Sequence, residues 1–167
     1  MTGDWNLGRR AALAMLVAGL AFGPGPNDTA AQEVGGMPQE RLAVEPLAIL
    51  TNAGTVHFLV EMARSSAEQT KGLMFRAEVP DGTGMLFVHE PPRPVAMWMR
   101  NTPTSLDMLF IDKAGVIRKI ATRTTPYSED VIAFDGPVAG VLEIRGGEAE
   151  RLGIAEGDTV HHPEFGQ

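Results

Sequence analysis

The chain has 167 residues, of which 44% are hydrophobic and 21% are charged, and its formal net charge is −7. This composition suits one globular domain with a substantial core, and an acidic chain without a lysine- or arginine-rich run is not expected to bind nucleic acid. Because the sequence contains no cysteine, disulfides, thiol catalysis, thiolate metal sites and lipoprotein acylation are excluded.

The first 31 residues have the pattern of a secretory signal peptide. Arg9 and Arg10 precede an apolar segment, 11–22, that is short for a membrane-spanning helix, and small residues stand just before Gln32. We therefore predict cleavage after Ala31 and a periplasmic or secreted protein. Two alternatives stay open: an uncleaved signal segment that anchors the protein to the membrane, and export by the twin-arginine route.

The domain itself is expected over residues 47–167. Residues 32–46 are polar and rich in Gly and Pro, which predicts a flexible linker. Two apolar runs then flank Thr-Asn-Ala-Gly in LAILTNAGTVHFLVEMA, which predicts a hairpin with Gly54 at positive φ. The second run alternates apolar and polar residues from Val56 to Met62, so one of its faces should be buried.

The next segments predict a helix and three strands. In SSAEQTKGLMFR, Ser66 and Gln69 fit a capping box and Gly72 fits a helix end, so we expect one to two helical turns. The run MLFVHE predicts a strand that ends at PPRP, because proline cannot join a ladder from the middle of a sheet. The runs VAMWM and LDMLFID are apolar on both faces, which predicts two central strands.

The last third of the chain also predicts short strands, a tight turn and a short helix. DKAG, with Gly115, predicts a tight turn into VIRKIAT, and PVAGVLEIR predicts another strand after a polar loop. A short helix from Glu148 to Leu152 and a final strand complete the chain. Short, closely spaced strands with brief helices predict a mainly β, single compact barrel- or sandwich-like domain with one or two short helices.

Several motifs together resemble one protein family. These are KGLMFR, GTGMLFVHEPPRPVAMWMRNTPTSLDMLFID, GVIRKI, and VLEI followed by GGEAERLGIAEGDTV. Their content and order are similar to domain-of-unknown-function family 192, over roughly Val56 to Val160. Many members place Ile-Pro before the Leu-Asp pair, where this chain has Thr104 and Ser105. The resemblance implies a compact, mostly β, often exported domain, and it brings no established activity.

A polar cluster interrupts the apolar runs in the middle of this match. Arg100, Asn101 and Thr102 follow VAMWM, and Asp107 opens LDMLFID. The short connection predicts that Arg100 lies beside Asp107, and Arg76 could bring a second guanidinium to the same place. On a structural interpretation, Arg100 and Asp107 form a buried ion pair and Asn101 caps the connecting turn.

On a functional interpretation, the same cluster lines a ligand-binding groove. The predicted ligand-binding residues are Arg76, Trp98, Arg100, Asn101, Thr102 and Asp107. Guanidinium groups recognise carboxylates and phosphates, and a tryptophan ring can stack on a sugar or a base. We predict that a monomer binds a polar or acidic small molecule or a cell-envelope glycan, without a cofactor, and we assign no catalytic residue.

Two other functions remain as alternatives. An envelope carbohydrate-active hydrolase could draw its carboxylates from Glu90, Asp107, Asp112 or Glu143, although the sequence places no catalytic base and no G-x-S-x-G elbow. Glu143, in an apolar strand, should face either solvent or an arginine such as Arg76. A partner-binding module without a pocket is the second alternative.

No metal site is predicted. Methionines 74, 85, 97, 99 and 108 could in principle hold copper(I) in the periplasm, but at strand spacing they are better explained as core residues. The histidines do not have the spacing of a zinc site, because His161 and His162 are adjacent and should point to opposite faces of a strand.

Overall fold

Residues 36–166 are described by a computed structural model. The predicted signal peptide, the first four linker residues and Gln167 lie outside this range. Seven strands form one curled sheet: β1 (Val44–Thr51), β2 (Gly54–Ala63), β3 (Thr83–Met97), β4 (Leu106–Ile111), β5 (Ile117–Ala121), β6 (Ile132–Arg145) and β7 (Thr159–His161). The helices are α1 (Ser66–Lys71) and α2 (Glu148–Arg151). This architecture confirms the predicted mainly β class with short helices.

The strand order is β5-β4-β6-β3-β2-β1-β7, in which β2 and β3 are parallel and the other neighbours are antiparallel. The sheet curls until its first and last strands approach each other, where Val116 and Thr159 form an isolated antiparallel bridge. Backbone hydrogen bonds reinforce this junction, from Ile117 N to Asp158 O (2.9 Å) and from Val160 N to Gly115 O (2.7 Å). Within residues 36–166, no helix is both long and apolar enough to cross a bilayer.

The β1–β2 hairpin forms where the sequence predicts it. Gly54 begins β2 with φ +132°, a conformation that side chains disfavour, and Val56 to Met62 alternate toward the core as expected. The sheet begins at Val44, inside the segment predicted to be a linker. Just before it, the amide of Leu42 donates to the carboxylate of Glu61 (3.0 Å), which holds this part of the chain against β2.

Strand β3 differs from the prediction, because PPRP does not end it. Val88 pairs with Gly140 of β6, and the next pair is Arg93 with Val138, so the prolines lie in an irregularity where the ladder is interrupted. VAMWM is therefore not a separate strand. Its residues up to Met97 form the end of β3, where Ala96 is exposed, whereas all six residues of β4 are buried as predicted for a central strand.

Apolar side chains cover both faces of the sheet. One cluster includes Leu47, Phe58, Leu109, Leu142 and Phe165, and the opposite face carries a second cluster that includes Met85, Phe87, Met108, Phe110 and Val141. Helix α1 and the residues that follow it pack over the second cluster, which contains Leu73. The candidate site described below lies on this second face.

Helix α1 is held by its caps and by one side chain. Its capping box is formed by Ser65 and Glu68, one residue earlier than the predicted Ser66 and Gln69. Instead, the Gln69 amide donates to the carbonyls of Ala63 (3.2 Å) and Val88 (2.6 Å), which ties the helix to β2 and β3.

Gly72 ends α1, as predicted from the sequence. Its φ is +47° and its ψ −135°, a region that is essentially restricted to glycine. A Cβ atom at this position would lie 3.0 Å from the Phe87 ring. The glycine therefore allows the chain to turn tightly against the sheet directly after the helix.

Candidate functional site

The predicted pair of Arg100 and Asp107 does not form. Asp107 is fully buried, and its carboxylate accepts hydrogen bonds from three backbone amides: Arg123 N (2.7 Å), Gly147 N (2.9 Å) and Ala149 N (2.9 Å). Gly147 is the N-cap of α2 and has no capping side chain of its own, so Asp107 supplies the cap from another strand. Asp107 is a structural residue.

Strand order explains why the predicted pairing is wrong. The sequence suggests that β3 and β4 are neighbours because a short segment connects them, but β6 lies between them and pairs with both. Two strands separated by a third are about 10 Å apart, too far for a direct ion pair between adjacent ends. Arg100 is more than half exposed, 5.9 Å from the Trp98 ring centroid, with its nearest carboxylate on Glu129 at 3.8 Å.

Asn101 helps to join the two sequence motifs. It has a positive φ of +56°, its carbonyl accepts from Phe75 N (2.8 Å), and its side-chain amide points to the Met74 sulfur (3.8 Å). The GLMFR and MWMRNT motifs therefore meet through this turn. The role of Asn101 is to hold this turn in position.

Arg76 lies in a different ion pair. Its guanidinium binds both carboxylate oxygens of Glu61 (2.6 and 2.8 Å), and both side chains are largely buried. Burial alone would raise the pKa of Glu61, but the hydrogen bonds from Arg76 and Leu42 and the guanidinium charge outweigh it, so this pKa is lowered. Arg76 is satisfied within the protein and contacts neither Asp107 nor Glu143.

Trp98 and Thr102 do border a cavity, which we call the α1–β3 cavity. It has a volume of about 320 Å³ and lies between α1 with its following turn, the second half of β3, and β6. Trp98 is 47% exposed and forms part of its mouth, whereas Thr102 is buried. The polar residues that line it are Ser66, Gln69, Thr70, Lys71, His89, Arg93, Thr102 and Glu143, and its apolar walls include Leu73, Met74, Phe87, Val95 and Met97.

Glu143 is the most unusual group in this cavity. It is 4% exposed and lies in β6 opposite Met85 of β3 and opposite Met108 of β4, so its carboxyl group projects from an apolar sheet face. No side chain or amide within residues 36–166 hydrogen bonds to that carboxyl group. Burial raises its pKa to about 8. It is neither exposed nor paired with Arg76, the two arrangements expected from the sequence.

His89 is a second buried polar group in the cavity lining. Its Nδ1 is 3.3 Å from the guanidinium of Arg93, which can only donate, so Nδ1 is the acceptor and Nε2 carries the proton. This Nε2 is buried and has no hydrogen-bond partner in the described part of the chain. Burial, aided by the positive charge of Arg93, lowers the pKa of His89 to about 4.

The described residues contain no group of three His, Asp or Glu side chains that could hold a metal ion. Met74 and Met97 line the cavity together with His89. Elsewhere in the motif region, the Met99 sulfur accepts from the Thr124 hydroxyl (3.1 Å) and the Met85 sulfur from the Gln39 side-chain amide (3.8 Å).

The sequence therefore located part of the cavity. Of the six predicted ligand-binding residues, Trp98 and Thr102 line it. His89 and Arg93 were not among the predicted residues. An acidic residue within the apolar run VAGVLEIR was the visible signal for Glu143, but the register that directs it to the cavity is not evident from the sequence.

The fold and site define a mainly β domain in which a curled sheet carries a small cavity with a buried carboxyl group. The chain belongs to the uncharacterized ACR family, DUF192, whose sequence model matches residues 48–162. This confirms the resemblance drawn from the motifs.

Two solved structures share this fold. The crystal structure of a protein of unknown function from Novosphingobium aromaticivorans DSM 12444 is 44% identical over 72% of this chain and 86% of that chain, with a TM-score of 0.71. The crystal structure of a Sinorhizobium meliloti 1021 protein, named a candidate transcription regulator, is 39% identical over 76% of this chain and 99% of that chain, with a TM-score of 0.73. No match was found among curated proteins.

Proposed function

We propose that this protein is an exported domain that binds a polar or acidic small molecule in the α1–β3 cavity. The observation that carries the proposal is the Glu143 carboxyl group, which is buried in the cavity wall without a partner among residues 36–166. Buried polar groups are normally satisfied within a protein, and one that is not satisfied is a candidate contact for a ligand.

The size and lining of the cavity limit the ligand. A volume of about 320 Å³ is at the small end for ligand sites, which favours a single sugar ring or an aromatic acid over an extended glycan. Trp98 offers a flat, half-exposed ring at the mouth, and Arg93 offers a guanidinium. In this arrangement Arg93 supplies the guanidinium for an acidic ligand, a role that the sequence suggested for Arg76 and Arg100.

Binding is better supported than hydrolysis. Glycoside hydrolysis by the usual mechanism needs two carboxyl groups flanking the bond. Among the residues that line the cavity, Glu143 is the one that has a carboxyl group, while Asp107 is committed to backbone amides. Without a second carboxyl group among the described residues of the lining, the cavity fits a binding site better than the site of this hydrolysis.

The name of the Sinorhizobium meliloti relative does not extend this proposal to DNA. The net charge of −7 opposes association with a phosphate backbone, because such binding depends on clustered lysine and arginine.

A titration followed by NMR tests the binding proposal. We expect at least one member of a panel of monosaccharides, uronic acids and aromatic acids to shift the amide signals of Gly72 and Ala96 saturably in the full-length protein. Trp98→Ala should weaken that binding about tenfold by removing a stacking surface. Tyr127→Ala is the matched control, because Tyr127 is exposed but does not line the cavity, and it should change the affinity less than twofold.

Two results of this titration would contradict binding in the cavity. If no panel member shifts these signals, or if the shifts cluster around Tyr127 and Val131 instead, the cavity is not the binding site. The second result would favour a partner-binding surface, since Trp98, Tyr127 and Val131 are all exposed.

Export is the other part of the proposal and depends on the N-terminal sequence. We expect the protein from the periplasmic or secreted fraction of a bacterial host to begin at Gln32, because small residues precede that position. N-terminal sequencing and intact mass measure this directly. Recovery of the full-length chain in the membrane fraction would instead establish the uncleaved anchor.

A further inference from the structure

We infer that the α1–β3 cavity binds organic acids selectively. The carboxylate of such an acid accepts hydrogen bonds from Arg93, which can only donate, and from His89 and Glu143, which are held in their donating forms. This inference rests on the proposed function and names its ligand class. It follows from the protonation states that the geometry imposes on Glu143 and His89, and from the charges of the residues that line the cavity.

Glu143 acts as a hydrogen-bond donor in this environment. An ionised carboxylate needs a cation or several hydrogen bonds to be stable in an apolar interior. The residues directly across from Glu143 are Met85 and Met108, and no described group donates to it. The carboxyl group is therefore neutral at neutral pH and presents an O–H, in agreement with its pKa of about 8.

His89 is fixed as a donor by its neighbour. Because the Arg93 guanidinium occupies Nδ1, the proton of the neutral ring is on Nε2, which has no acceptor among the described residues. Arg93 is itself a donor only. Two side chains of β3 and one of β6 thus bring donors to the lining of the same cavity.

The remaining charges favour an anion over a cation. The charged or titratable groups of the lining are Lys71 from α1, His89 and Arg93 from β3, and Glu143 from β6; β4 contributes Met108 opposite Glu143. The lining therefore contains cationic side chains, and no ionised carboxylate among residues 36–166 lines the cavity to hold a cation. The walls of Phe87, Val95 and Met97 suit the hydrocarbon part of such an acid.

Three probes of the same shape and different charge test this selectivity. Benzoate, benzamide and benzamidine are planar isosteres that are anionic, neutral and cationic. We expect benzoate to bind the full-length protein at pH 7 at least tenfold more tightly than benzamidine, with benzamide between them, as measured by NMR titration. Equal or tighter binding of benzamidine, or saturable cavity shifts from none of the three, would overturn the inference. The proposed binding function would be overturned only if the panel of monosaccharides, uronic acids and aromatic acids also gave no cavity shifts.

The pH dependence of benzoate binding identifies Glu143 as the donor. Between pH 7 and pH 9 the carboxyl group loses its proton, so we expect benzoate to bind the wild type about tenfold more weakly at pH 9. Glu143→Gln keeps a donor but cannot ionise, so its affinity should be the same at both values. Glu90→Gln, at an exposed position of β3, is the matched control and should retain the wild-type pH dependence. A pH dependence that is unchanged in Glu143→Gln would show that Glu143 does not donate to the acid.

Discussion

Replacing Asp107 by alanine is expected to lower the free energy of unfolding by about 4 kcal/mol, because three backbone amides lose a charged acceptor in a site closed to water. Asp107→Asn keeps one acceptor oxygen, and we expect a loss of about 2 kcal/mol. Urea unfolding at pH 7 measures both values.

The same experiment separates this role from the ion pair suggested by the sequence. If Asp107 depended on Arg100, Arg100→Met would be as harmful as Asp107→Ala. Arg100 is more than half exposed, so we expect Arg100→Met to change the free energy of unfolding by less than about 0.5 kcal/mol. Asp130→Ala serves as an exposed aspartate control. A loss below about 1 kcal/mol for Asp107→Ala would contradict the capping role.

Glu143→Gln is expected to stabilise the protein increasingly as the pH rises. The folded-state pKa of Glu143, about 8, is above its ordinary value of 4.5, so the folded protein holds a proton that the unfolded chain releases. The stability linked to this proton is fully present below pH 4.5 and is lost as the pH rises through 8. Since one pKa unit corresponds to about 1.4 kcal/mol, the variant should exceed the wild type by roughly 4 kcal/mol at pH 8 and by little at pH 4.5.

The pKa shift of His89 has the opposite effect on how the free energy of unfolding of the wild type depends on pH. Its folded-state pKa of about 4 is below the ordinary 6.5, so its contribution is present above pH 6.5 and is lost as the pH falls toward 4. The two effects oppose each other between pH 4.5 and 6.5, so together these two groups should change the stability of the wild type little in that interval. Denaturant unfolding of the wild type and of Glu143→Gln at half-unit pH intervals measures the difference between their free energies of unfolding. Because all other titrating groups are the same in the two proteins, their contributions cancel in this difference. Parallel curves for the two proteins would mean that Glu143 does not carry this proton.

Local patterns were sufficient for most of the secondary structure. The alternation from Val56 to Met62, the glycines at 54 and 72, and the apolar run of β4 each depend on neighbouring residues and gave the correct element. PPRP misled the prediction because proline is excluded only where the ladder needs its N–H, and the irregularity in β3 removes that need.

Features that depend on strand order could not be predicted in this way. The insertion of β6 between β3 and β4 is a non-local pairing, and it separates Arg100 from Asp107 although the sequence between them is short. The same insertion places Glu143 between two methionines, and Glu143 lines the cavity. Charge and hydropathy identify such a carboxyl group as unusual but do not reveal the face on which it lies.

The meeting of β5 with β7 has a consequence for association between molecules. Terminal strands of an open sheet expose unpaired amides and carbonyls to which another chain can add, and here some of those groups are used within the same molecule. Gly115 makes this possible, because a side chain there would start 2.5 Å from the Val160 carbonyl oxygen. One glycine thus helps to protect the protein from edge-to-edge aggregation.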